Sequence, residues 1–206
     1  VNQPFILGLT GSIGMGKSAV AAMFHGLNVP VFDADAAVHQ LQGPGGALLG
    51  AIEAAFPGTT GLDGVDRPKL GAAVFGDPAA LKRLESIVHP AVGAMRADFL
   101  KVHADQPLVV FDIPLLFEKC IQNQVDAVLV VSASAQAQRS RVLARPGMTE
   151  AKFDQILKLQ VPDAEKRAKA DYVIDTGTSL AETRHAVQSL VHQLAGIISA
   201  RTTGQE

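Results

Sequence analysis

Residues 11–18 read Gly11-Ser12-Ile13-Gly14-Met15-Gly16-Lys17-Ser18, a complete G-x-x-x-x-G-K-S loop directly after the apolar run Phe5-Ile6-Leu7-Gly8-Leu9. A nucleoside triphosphate needs backbone N–H groups aimed at its β and γ phosphates, and glycines let the chain wrap that closely around them. In such a loop Lys17 neutralises phosphate charge and the Ser18 hydroxyl holds Mg2+. The next residues, Ala19-Val20-Ala21-Ala22-Met23-Phe24, favour a helix with one apolar face. The loop therefore opens at a helix N-terminus, where the dipole also favours an anion. The expected ATP-binding set is Gly11, Ser12, Ile13, Gly14, Met15, Gly16, Lys17, Ser18 and Ala19.

A phosphate loop fixes the donor and leaves the acceptor open. The run Val31-Phe32-Asp33-Ala34-Asp35 places carboxylates where a second strand ends, at the edge where α/β folds gather their ligands. At spacing i and i+2 the two point the same way if the extension persists. One can then orient magnesium-bound water or substrate, and the other can accept the proton of an attacking hydroxyl. A capping or turn role suits Asp33 better than Asp35, so Asp35 is the catalytic candidate. The run Val110-Phe111-Asp112-Ile113-Pro114 ends a further strand in an acid, expected near the metal, with a turn-forming role as the structural alternative, and Pro114 bends the chain over the site.

These residues need a frame. Short β-branched runs at 5–9, 29–32, 108–111, 127–131 and 172–174 alternate with helical stretches, which argues for an α/β fold with a five-stranded parallel sheet flanked by helices. The runs at 108–111 and 128–131 are apolar throughout and suit central strands. A last helix is expected over 180–199, where Ala186, Val187, Leu190, Val191 and Leu194 keep helical spacing. Residues 202–206 are expected to fray. Two segments exceed a simple crossover. Residues 38–107, broken by Gly43-Pro44-Gly45-Gly46 and Pro57-Gly58, suit a helical substrate lobe. Residues 139–170, dense in cations from Arg139 to Lys169, suit a charged helical pair acting as a lid, although taken singly most of these cations read as a solvated helix surface. The whole chain, 1–206, reads as one domain with these two excursions.

Composition excludes several classes. A net charge of −2 gives no sign of a nucleic-acid partner. No apolar run reaches the length of a membrane span, and no basic-then-apolar leader opens the sequence. The single Cys120 forms no internal disulfide, which fits a reducing cytoplasm, and it is expected as a small buried hydrophobe. The chain is expected to be cytoplasmic and free of membranes. No pattern in it specifies an oligomeric state.

The motifs together resemble the dephospho-coenzyme A kinases, over about residues 5–178. The resemblance rests on the loop, Asp33-Ala34-Asp35, Leu84-Glu85-Ser86-Ile87-Val88-His89-Pro90 and Asp112-Ile113-Pro114-Leu115-Leu116. Arg141, Arg145, Gln160, Arg167 and Ala170-Asp171-Tyr172-Val173-Ile174 extend it. It implies a P-loop kinase that uses ATP and Mg2+ to phosphorylate the ribose 3′-hydroxyl of dephospho-CoA. By the same resemblance Asp35 is the general base, Lys17 with Arg141 and Arg145 serves the transferring phosphoryl group, and Arg67, His89 and Asp112 join Asp35 on the acceptor side. A His-Pro pair can also cap and end a helix, which is the structural alternative for His89.

Departures are visible too. Ser12, Met15 and Ala19 replace the family's usual Gly, Ser and Thr. Pro146-Gly147 follows Arg145 and implies a differently shaped lid hinge, and Asp175-Thr176-Gly177 stands where the family carries an Asn near the end of the last strand, which bears on nucleotide preference if that position touches adenine. Kinases for nucleosides, shikimate or gluconate share the loop and sheet, and the length of 38–107 favours a larger acceptor. A guanine-specific switch would carry an Asn-Lys-x-Asp run, which this sequence lacks.

Overall fold

The computed structural model describes residues 3–203. In chain order these form β1 (Phe5–Thr10), α1 (Lys17–Gly26), β2 (Val31–Asp33), α2 (Ala34–Gln42), α3 (Leu49–Ala55), β3 (Thr60–Gly61), β4 (Gly64–Val65), α4 (Arg67–Val74) and α5 (Pro78–Val102). They continue with β5 (Leu108–Asp112), β6 (Ala127–Ser132), α6 (Ala135–Leu143), α7 (Glu150–Leu159), α8 (Asp163–Ala168), β7 (Tyr172–Asp175) and α9 (Leu180–Thr203). Two compact units result, one holding the chain up to Phe32 and from His103 onward, the other Asp33–Val102.

The first unit carries a five-stranded sheet in the order β2-β5-β1-β6-β7. β1 pairs in parallel with β5 and with β6, and β6 pairs in parallel with β7. Every residue of β5 and β6 is buried, as expected for strands covered on both faces. On one face Leu7 and Leu9 of β1 meet Val20 and Phe24 of α1 and Val187, Leu190 and Leu194 of α9. Gly8 faces the other way, where a Cβ would lie 2.9 Å from Leu116 Cδ1. Its missing side chain lets the 115–117 segment lie close on the sheet.

The expected second strand at 29–32 runs instead over Val31–Asp33. The reason is the way α1 stops. Asn28 adopts a left-handed φ of 60°, and the N–H groups of Asn28 and Val29 donate to the carbonyls of His25 and Phe24, a Schellman closure. Val29 therefore belongs to the helix cap, and Pro30, without an N–H, offers its carbonyl to Val110 N. The last helix extends past 199 to Thr203; of the expected fraying at 202–206, residues 204–206 lie outside the described residues. Cys120 is exposed, against expectation. It closes the turn after Leu116 and Phe117 at a left-handed φ of 53°, which turns it outward.

The second unit is helical with one small hairpin. Asp33, Asp66 and Asp77 cap α2, α4 and α5 by accepting first-turn N–H groups. Its core gathers Leu41, Leu48, Ile52, Phe56, Leu70 and Ala80. α5 runs through Pro90 without ending, so His89 is no helix terminator. The bond Pro90 cannot make would go to the carbonyl of exposed Ser86, which water can satisfy.

Glu53 of α3 ties the turn into β3 by accepting from Gly58 N, Thr60 N and Thr60 Oγ1 at 2.7, 3.1 and 2.7 Å. The Gly58 N–H, then the Thr60 hydroxyl, hold its carboxyl below its ordinary value of 4.5. Because the folded pKa is the lower one, the contribution is complete above the ordinary value and is lost as pH falls through the lowered one. A Glu53→Ala protein should therefore melt below wild type at neutral pH. Melting curves recorded at stepwise lower pH should show that gap closing.

Candidate active site

The phosphate loop leaves β1 at Gly11 and enters α1 at Lys17. Gly14 and Gly16 lie at φ 78° and 87°, where glycine alone is unstrained. At Gly14 a Cβ would also fall 2.5 Å from Val142 Cγ2, so α6 packs directly against the loop. Met15 N donates to Ser12 O at 3.1 Å, while Ala19 and Val20 donate to Gly16 O. The N–H groups of Gly14, Gly16, Lys17 and Ser18 find no protein acceptor among the described residues. They form the donor set an anion at a helix N-terminus requires.

Strand register decides what faces Lys17. Leu9 of β1 lies opposite Asp112 of β5, and Ile113 N still donates to Leu9 O at 2.9 Å. The Lys17 ammonium ion-pairs with Oδ1 of Asp112, whose residue is only 4% exposed. Thr10 Oγ1 then donates to Pro114 O at 3.2 Å, holding the bend beyond Asp112. A cation that pairs with a buried carboxylate is held within the site rather than left to wander in solvent.

The loop is also gripped from outside its donor face. Met15 is buried, with Ala133 N donating to its Sδ at 3.1 Å, which gives this departure from the family a packing role. Thr176 Oγ1 donates to Met15 O at 2.7 Å, and Arg141 donates to Thr176 O at 2.6 Å and to Gly14 O at 3.4 Å. Gln138 Nε2 donates to Ile13 O at 2.8 Å, and Ile13 N donates to Gln160 Oε1 at 3.1 Å. Sequence reasoning missed Thr176 and Gln138, and it noted Gln160 without a role. Arg145 is not brought to the loop: it is exposed in the turn after α6. Ser18 and Ala19 are exposed at the start of α1, whereas Ser12 is buried.

The 139–170 segment forms parts of three helices rather than a pair, and not all of its cations face solvent. Lys166 is fully buried, 2.8 Å from Glu118 Oε1, which also accepts from Val161 N at 2.9 Å. A cavity of about 520 Å³ beside the loop is lined by Met15, Ser134, Gln138, Asp163, Arg167 and Asp175. Asp163 accepts from Ser132 Oγ and Arg167 Nε, and Asp175 Oδ1 accepts from Gly177 N at 2.7 Å. The Asp175 carboxylate is thus engaged by its own turn.

In the helical unit the two aspartates of the Asp-Ala-Asp run do not point the same way. The extension ends at Asp33, which caps α2 by accepting from Ala36 N at 2.9 Å, and Asp35 is already in the first helical turn, exposed. Successive helical residues two apart diverge, whereas those four apart align. His39 therefore shares a face with Asp35. Its Nδ1 accepts from Arg67 Nη2 at 2.6 Å, so Asp35, His39 and Arg67 are gathered along one side of α2. Asp66, capping α4 just before Arg67, has its carboxyl lowered chiefly by the Lys69 N–H it accepts. His89 is exposed in the middle of α5, and its imidazole makes no side-chain hydrogen bond among the described residues.

No group of three His, Cys, Asp or Glu suited to a metal occurs among the described residues. The exposed Ser18 hydroxyl at the start of α1 fits a Mg2+ that draws its other ligands from phosphates and water.

The chain is similar to known proteins over most of its length. A family model described as dephospho-CoA kinase matches residues 5–182. A dephospho-CoA kinase of Novosphingobium aromaticivorans is 69% identical over 94% of this chain and 96% of its own. One of Bradyrhizobium diazoefficiens is 56% identical over 94% and 96%. The crystal structure of TT1252 from Thermus thermophilus superposes with a TM-score of 0.83 at 34% identity, covering 94% of this chain and 99% of the other.

Proposed function

This chain belongs to the dephospho-CoA kinase family, and from that premise we propose how its residues divide the work. The reaction transfers the γ-phosphoryl group of ATP, with Mg2+, to the ribose 3′-hydroxyl of dephospho-CoA, giving coenzyme A and ADP. The observation that carries the reading is the phosphate loop with free N–H donors and Lys17 held at Asp112.

In this reading Gly14, Gly16, Lys17 and Ser18 present N–H groups to the ATP phosphates. The Ser18 hydroxyl would hold Mg2+, which when bound would supply charge that neutralises the phosphates. Lys17 and Arg141, joined by Arg145 when the lid closes over the loop, stabilise charge on the moving phosphoryl group, the main contribution protein side chains make to such transfers. Asp112 orients Lys17. Asp35 accepts the proton of the 3′-hydroxyl as its oxygen attacks phosphorus and ADP departs. Arg67 takes an anionic part of the acceptor, and His89 belongs to the same lobe, residues 38–107. Residues 139–170 act as the lid. The location we propose is the cytoplasm, from the lone cysteine and the family's chemistry; among the described residues no helix is long and apolar enough to cross a membrane.

The direct test is ADP release from MgATP with dephospho-CoA, adenosine, shikimate or buffer as acceptor. Strong dependence on dephospho-CoA, with product phosphorylated at the 3′ position, is expected; equal slow release with every acceptor would favour a hydrolysing switch. Lys17→Ala should abolish turnover. It also removes the cation beside buried Asp112, so a Lys17→Ala, Asp112→Asn double variant, which removes that carboxylate's charge as well, should be equally inactive while melting closer to wild type. Asp35→Asn should lose roughly 10²-fold or more in kcat while still binding ATP in a direct titration. If ATP affinity alone fell, Asp35 would serve the metal instead.

A further inference from the structure

The peptide bonds on either side of Ile13 are held by two glutamines of different chemistry. Gln138, buried on α6, donates Nε2–H to the Ile13 carbonyl at 2.8 Å. Gln160, the C-cap of α7, accepts from the Ile13 N–H at 3.1 Å. A carbonyl only accepts and a peptide N–H only donates, so the orientation of both amides is fixed by their partners.

In a trans peptide the N–H points opposite to the C=O of the same unit. Gln138 draws the Ile13 carbonyl toward α6 and thereby aims the Gly14 N–H the other way. That N–H has no protein acceptor among the described residues, and Gly14 sits at φ 78°. Gln160 holds the preceding unit, whose carbonyl, on Ser12, faces away and accepts from Met15 N. Two successive peptide planes of the loop are thus set from outside it. Gln160 is itself anchored, because the next N–H, of Val161, donates to Glu118, the partner of buried Lys166.

We propose that Gln138 and Gln160 are positioning residues that fix the Ser12-Ile13 and Ile13-Gly14 peptide planes and so pre-aim the Gly14 N–H at the phosphates of ATP. The inference rests on the reading of residues 11–18 as the ATP site. Unclasped, these peptides can rotate, and ATP must order them on binding. Loss of one neutral hydrogen bond of this kind should weaken ATP binding roughly 3- to 10-fold and spare the acceptor.

The test compares the near-isosteric Gln138→Met and Gln160→Met with Gln138→Glu and Gln160→Glu, following the Kd of ATP, the KM of dephospho-CoA, Tm, and exchange of the Ile13 amide by NMR without ligand. Both Met variants should weaken ATP 3- to 10-fold at unchanged KM for dephospho-CoA. Gln138→Glu, which sets an acceptor against an acceptor, should be at least as impaired as Gln138→Met. Exchange at Ile13 should accelerate in Gln160→Met and stay slow in Gln160→Glu, which still offers an oxygen to that N–H. Unchanged ATP affinity in both Met variants overturns the proposal, as does a parallel loss for both substrates that tracks Tm. Lys17→Ala is the control: if it too binds ATP like wild type, the site reading has failed rather than the clasp.

Discussion

A phosphate loop must keep backbone donors unsatisfied and aimed at a common space, although a folded chain ordinarily leaves no such group unpaired. Several of the first unit's polar contacts answer that constraint. The loop cannot hydrogen-bond to itself without consuming its donors, so neighbouring elements hold it by its other atoms. Thr176 takes the Met15 carbonyl, Ala133 the Met15 sulfur, Arg141 the Gly14 carbonyl and Gln138 the Ile13 carbonyl. The donors left over include those of Gly14, Gly16, Lys17 and Ser18. The loop's shape is thereby set before any ligand arrives, the condition under which electrostatic stabilisation costs no reorganisation.

Two buried ion pairs define where charge is allowed. Lys17 with Asp112 puts a cation beside the loop, and Lys166 with Glu118 locks α8 to the segment leaving the sheet. Removing one partner of a buried pair generally costs about 3–5 kcal/mol, against total stabilities of about 5–15 kcal/mol. Such pairs tolerate few changes, and each joins residues distant in sequence. The Asp112 pair is reached through β-sheet register, since β1 against β5 brings the acid to the level where the loop begins.

The helical unit solves a different problem with caps. Asp33, Asp66 and Asp77 each start a helix, and the first two stand directly before the segments that carry Asp35 and Arg67. The capping carboxylates fix where the helical phase begins and therefore which side chains share a face. Starting α2 at Ala34 is what separates Asp33 from Asp35 and aligns Asp35 with His39.

The sequence by itself determined the features written in neighbouring residues. The loop and its following helix, four of the five strands to within a residue or so, and the apolar seam of α9 all follow from local spacing, because glycine conformation, burial on two faces and helical period act over a few positions. The contacts between distant residues were decided only by tertiary structure. Gln138 and Thr176 reach the loop from 125 and 161 residues away, and an ordinary polar residue on a helix or strand end carries no mark of such a partner. Lys166 looked like one of many surface cations until Glu118 was placed beside it. Cys120 had an apolar side chain's prior, and a turn requiring a left-handed residue put it outside. The Asp-Ala-Asp run shows both sides: its acids are legible, yet their directions hang on whether the chain stays extended or turns helical at Ala34, a choice made where strand gives way to capped helix.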